Sequence, residues 1–116
     1  MDLRLIVALV SDDYSEKVID KAREMGATGA SVITSGHGEG LNPPKTFFGL
    51  TFEGQIDMIL FIVEKHLSRQ ILEGISEVAG FDRASGSGVA MQLNIEDAVG
   101  LKTQLETIEH EIEDQI

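Results

Sequence analysis

Residues 56–80 read IDMILFIVEKHLSRQILEGISEVAG, and two hydrophobic periods meet inside this stretch. Ile56 to Val63 form a short run of mostly branched and aromatic apolar residues, which predicts a strand. From about Leu67 the spacing becomes helical: Ile71, Leu72, Ile75, Val78 and Ala79 share one face, and Gly80 supplies the stop. The same order occurs at the start of the chain. LRLIVALV at residues 3–10 is too brief and too continuous for an amphipathic helix and reads as a buried strand. It leads into a helix with a capping box at Asp13 and Glu16, an apolar face of Val18, Ile19, Ala22 and Met25, and a stop at Gly26.

Two further strands complete the pattern, one over Thr28–Thr34 and one over GVAMQLNI at residues 88–95. KTFFGLTF at residues 45–52 reads with IDMILFIV as one strand, interrupted at Glu53-Gly54 by a bulge or a turn. The order is βαββαβ, an α+β, ferredoxin-like antiparallel sheet with two helices on one face. The other face has no cover within the chain, so its apolar residues predict association between subunits. At residues 101–116 Leu101, Leu105, Ile108 and Ile112 recur at helical steps among Glu106, Glu109, Glu111 and Glu113. This predicts an acidic C-terminal helix that packs on its own domain or, alternatively, bundles between subunits.

The 116 residues suffice for one core and no second module. A formal charge of −11 with nine scattered basic residues opposes nucleic-acid binding, which needs clustered cations on phosphates. Without cysteine the chain has no disulfide, thiolate metal site or cysteine nucleophile, a composition that suits the cytoplasm. DLRLIVALV is interrupted by Arg4 and lacks a cleavage site, and the run Met58–Val63 is far shorter than the roughly 20 residues of a membrane span. The expectation is a protein not itself embedded in a membrane.

Chemistry is suggested at two glycine clusters, Gly36, Gly38 and Gly40 after the second strand, and Gly86 and Gly88 before the last. Glycines at strand ends let successive amides turn toward an anion, although for either cluster alone plain turn formation is the favoured explanation. His37, His66 and His110 show no metal-ligand spacing; His37, beside Glu39, is the one placed to meet a phosphate or a metal. There is no Walker motif, no Ser-x-x-Lys and no Gly-x-Ser-x-Gly, and Asp12-Asp13 is assigned to capping, so the reading is not an enzyme.

The order of elements with both clusters resembles the PII signal-transduction superfamily. KAREMGATGASVI (21–33) is similar to the family's passage from its first helix into its second strand, and SGHGEG (35–40) to the base of its T-loop. SGSGVAMQL (85–93) resembles its B-loop and fourth strand, and NIEDAVGLK (94–102) its C-terminal loop. TFFGL (46–50) is closer to the divergent PII-like branch than to the nitrogen-sensing proteins. The resemblance implies a PII-like domain over residues 1–102 with a T-loop at about 36–48, the acidic helix at 103–116 being an addition. It also implies a homotrimer with an adenine nucleotide in each cleft between subunits, and a cytoplasmic regulator whose T-loop binds a target, a membrane transporter as in related families.

Carried onto this chain, the resemblance places Ser31 at the family threonine facing the adenine, with Gly29 in the same turn. Gly36 and Gly38 take the T-loop base with His37 between them, Gly86 and Gly88 flank Ser87 in the B-loop, and Lys102 stands in the C-terminal loop. The chain departs from the family where Ser87 replaces an aspartate, Val89 a lysine, and Gly100 one of two arginines, Lys102 being the other. With that positive charge missing, ADP or AMP is expected over ATP. Tyr14, the only tyrosine, lies in the first helix, which excludes T-loop uridylylation, and Gly40 near the place of the family glutamine argues against 2-oxoglutarate sensing. The alternative is a ligand-free trimer of this fold, or a metal-binding one through His37, like the metal-tolerance proteins. A small ferredoxin-like enzyme ranks last, since no acid, base and nucleophile converge.

Overall fold

The computed structural model describes residues 2–34, 45–47, 50–52, 55–83 and 88–100. Within them the chain forms β1 (Leu3–Ser11), α1 (Asp12–Glu24), β2 (Thr28–Thr34), β3 (Lys45–Phe47), β4 (Leu50–Phe52), β5 (Ile56–Glu64), α2 (Lys65–Ala79) and β6 (Gly88–Asn94). β1, β2, β5 and β6 make an antiparallel sheet in the order β2-β5-β1-β6, the ferredoxin-like arrangement expected.

Strand register sorts the side chains into two faces, because residues paired across a ladder point the same way. Ile6, Ala8 and Val10 of β1 and Ile59, Phe61 and Val63 of β5 point toward the helices. They are buried there with Val18 and Ala22 of α1 and Ile71, Ile75 and Ala79 of α2. Each large side chain so buried contributes about 1.5–3 kcal/mol. The helices meet at Gly74, where an added Cβ would run into the Met25 sulfur. A glycine inside a helix costs about 1 kcal/mol, and here the close approach of α1 is what that cost permits.

The opposite face is also apolar, and among the described residues no helix lies on it. Three rows cross it: Leu93, Leu5 and Ile62; Met91, Val7, Leu60 and Ser31; Val89, Leu9, Met58 and Ile33. Ile33 is 52% exposed, Leu93 45% and Met91 37%, whereas Leu9 is buried with Ile56 among Val7, Met58 and Val89, so the described chain leaves much of this surface bare, as the pattern predicted.

Two expectations need correction. KTFFGLTF does not join the third strand of the sheet. β3 and β4 pair with each other as a separate two-stranded ladder, with Phe47 opposite Leu50, and β5 alone enters the main sheet. A connection of two residues, Phe48-Gly49, has the length of a tight hairpin, so local pairing outcompetes extension of β5. Nor does the capping box form. α1 starts at Asp12 with Ser11 as N-cap and no side-chain cap bond, and the Asp12 amide donates to the Gln55 carbonyl at 2.9 Å. A tertiary partner has satisfied the amide, leaving Asp12 and Asp13 in the first turn, where the helix dipole favours acids. α2 begins at Lys65, slightly before the apolar periodicity does, and the proposed helix at 103–116 lies outside the described residues.

Candidate functional site

One end of the sheet gathers the features that suggested chemistry. Thr34 of β2, Asp57 of β5, Val10 of β1 and Gly88 of β6 form a single row across all four strands, in which Val10 and Asp57 are buried on the helix side. β2 ends with Thr34 at one end of that row, and β6 begins with Gly88 at the other. Three strand spacings of about 4.8 Å put the two attachment points roughly 14 Å apart. In one chain, therefore, β2 ends and β6 begins at the same end of the sheet but at opposite edges.

The α2 side of this end is shaped by two glycines. Gly80, at φ 65°, ends the helix in the left-handed conformation, and the Phe81 amide donates back to the Ser76 carbonyl at 3.2 Å. The Arg83 amide then bonds the Gly80 carbonyl at 3.0 Å, closing a turn. Gly88 has φ 153°, and a Cβ there would fall 2.5 Å from the Leu9 carbonyl oxygen and 2.8 Å from the Phe81 ring. Its glycine is thus required by packing, independently of any ligand.

Between α2 and the outer edge of β6 lies an open cleft of about 680 Å³. Its walls include Arg69, Glu73, Ser76, Phe81, Arg83 and the backbone at Gly88. Arg69 is held by Glu73 at 3.0 Å, whereas Arg83 donates from Nη2 to the Glu77 carbonyl at 3.1 Å.

A buried polar pair sits beneath the same end. Asp57 is 7% exposed, and its Oδ2 accepts a 2.6 Å hydrogen bond from the Ser15 hydroxyl of α1. Its Oδ1 has no partner among the described residues. The lone acid inside IDMILFIV was the available sequence signal for this pair; nothing local pointed to Ser15 as its donor. Ser15→Ala leaves the carboxylate without its donor, and a loss of about 1–3 kcal/mol is expected as a lower urea midpoint at unchanged m-value. An unchanged midpoint would show that solvent already satisfies Asp57.

Of the nine residues that the resemblance assigned to the nucleotide site, three are described. Gly29, at φ 66°, lies in the bulge of β2 between Thr28 and Ser31. Ser31 is exposed at the β2 edge of the bare face, and Gly88 opens β6. Gly36, His37, Gly38, Gly86, Ser87 and Lys102 lie outside the described residues. His66 pairs with Glu64 at 2.8 Å, and among the described residues no group of three His, Cys, Asp or Glu could hold a metal. Among them, too, no helix is long and apolar enough to cross a membrane.

Comparison with known proteins bears on this geometry. The family model for nitrogen regulatory protein P-II matches residues 3–105. The chain belongs to the P-II family. Its fold is shared with a PII-like signalling protein from Thermus thermophilus, with TM-score 0.62 and 18% identity over 88% of this chain and 95% of that one. It is shared equally with CPII from Thiomonas intermedia, solved bound to ADP, AMP and acetate, with TM-score 0.59 and 22% identity over 87% and 93% of the two chains. A structure of CPII bound to ADP and bicarbonate superposes with TM-score 0.56 and 19% identity over 82% and 87%. No curated protein matches the sequence. The P-II assignment agrees with the resemblance drawn from the order of elements and the glycine clusters, and the Thermus protein is itself described as PII-like.

Proposed function

We propose that this P-II family protein is a non-catalytic signal-transduction regulator, a homotrimer that binds an adenine nucleotide between subunits and acts on a target through residues 36–48. The observation that carries the reading is the bare sheet face with Ser31 at its β2 edge. Burying that face against neighbouring copies relieves the exposure of Ile33, Met91 and Leu93. The same packing brings the β2 edge of one chain toward a neighbour's glycine turns, overcoming the roughly 14 Å that separates the two attachment points within one chain. The ADP and AMP bound by CPII support the ligand class. A membrane transporter is the class of target proposed, and the acidic surface, at −11 per chain, fits a protein that approaches a membrane only through a bound partner.

The nucleotide should be ADP or AMP in preference to ATP, because Val89 and Gly100 bring no cation to the phosphates. A loop that answers to the ligand requires the nucleotide to bind its two arrangements with different affinity. Titration calorimetry with ADP, AMP and ATP is the test. Micromolar binding, about −8 kcal/mol, is expected for ADP or AMP, with ATP at least several-fold weaker. Millimolar or weaker binding of all three would remove the sensor reading, and ATP binding as tightly as ADP would remove the selectivity.

A further inference from the structure

The loop after α2 runs ASGSGV over residues 84–89 and contains no cation. Backbone amides alone bind phosphoryl oxygens less strongly than amides assisted by a guanidinium, which meets two oxygens at once. Arg83 stands immediately before this loop, and the turn bond from its amide to Gly80 fixes where its side chain starts. The guanidinium lies over Gly80, where an added Cβ would be 3.4 Å from Nη2, and it lines the cleft that also contains the Gly88 backbone. Its described side-chain partner is a neutral carbonyl at the end of α2, in an exposed position. Arg69, the other cation of the cleft, sits further from Gly88 along α2 and is engaged in an exposed i,i+4 ion pair with Glu73.

We infer that Arg83 is the phosphate-binding cation of this chain, and that the α2–β6 cleft at the Gly88 end receives the terminal phosphoryl group of the nucleotide. The inference rests on the nucleotide-binding reading and adds to it both a residue and a cause of selectivity. Binding exchanges a carbonyl acceptor for an anionic one, a gain for the guanidinium, at little cost because the helix end keeps its Gly80 cap. Glu77 and Asp82 line the same cleft and bring two further negative charges near the anion. One arginine against those carboxylates accommodates a mono- or diphosphate better than a triphosphate, so the cleft reinforces the preference for ADP and AMP.

Calorimetry on the full chain tests this with Arg83→Gln, Arg83→Lys and Asp82→Asn, each first checked for an unshifted melting transition without ligand. Arg83→Gln should weaken ADP about tenfold, the loss of one charge-assisted pair, and AMP by less. Arg83→Lys should recover part of that loss. Asp82→Asn, which removes a repulsion and keeps the side-chain shape, should tighten ADP about twofold to threefold and ATP by more. If wild type binds ADP while Arg83→Gln binds it within twofold as tightly, the inference is overturned and the nucleotide reading stands. ADP binding left unchanged or weakened by Asp82→Asn overturns it as well, a readout that does not depend on the arginine variants folding. A wild-type protein that binds no nucleotide overturns both readings together.

Discussion

Leu60→Asp is expected to turn the assembled protein into folded monomers. Leu60 lies in the middle row of the bare face, between Val7 and Ser31 and away from the helix-side core, so the isolated chain tolerates a carboxylate there. In an assembly that covers the face, the same carboxylate is dehydrated without a partner once per subunit, at a cost of several kcal/mol each. Light scattering should report three chain masses for wild type and one for the variant, with the far-ultraviolet circular dichroism unchanged. A monomeric wild type would end the trimer proposal, and a variant that stays trimeric would place the interface elsewhere.

The second large effect is at Gly88. Replacing it with valine puts a Cβ where the Leu9 carbonyl oxygen, the Phe81 ring and Val10 already stand, at a φ that side chains with a Cβ rarely adopt. The nearest obstacle is backbone in the middle of a sheet, which cannot swing aside as a side chain could. Overpacking and backbone strain together should cost about 2–5 kcal/mol, a large part of the 5–15 kcal/mol typical of a domain. A melting temperature lower by roughly 10 °C or more, or failure to accumulate folded protein, is the expected result. Should the variant melt like wild type and lose only nucleotide affinity, Gly88 serves the ligand and the packing account is wrong.

Gly88 also shows how a motif can be read correctly in position and incompletely in cause. The glycine pair near β6 was legible, but from the sequence its glycines had only turn formation and anion approach to explain them. The clash with Leu9 comes from a strand some eighty residues away, which no local pattern encodes. Asp57 is similar: a lone acid in an apolar run announces a special position, while its donor Ser15 is found only once α1 is laid on β5. Arg83 gave no signal at all, since an arginine in a turn is ordinary until the cleft beside it and its neutral partner are seen.

Where local physics dominates, the sequence by itself determined the result. The short, continuous apolar runs of the strands, the helical stripe of Ile71, Leu72, Ile75 and Val78, and the left-handed stop at Gly80 place both helices and all four main strands. Their alternation then leaves few chain paths other than βαββαβ. Competition between distant partners was decided only by the tertiary structure. KTFFGLTF had the composition to extend a strand and paired with itself instead. The Asp12 amide took the Gln55 carbonyl in place of a capping side chain. Which apolar face stays uncovered, and which side chains border one cleft, depend on contacts between residues far apart in the chain, and their free energies do not exist until the elements pack.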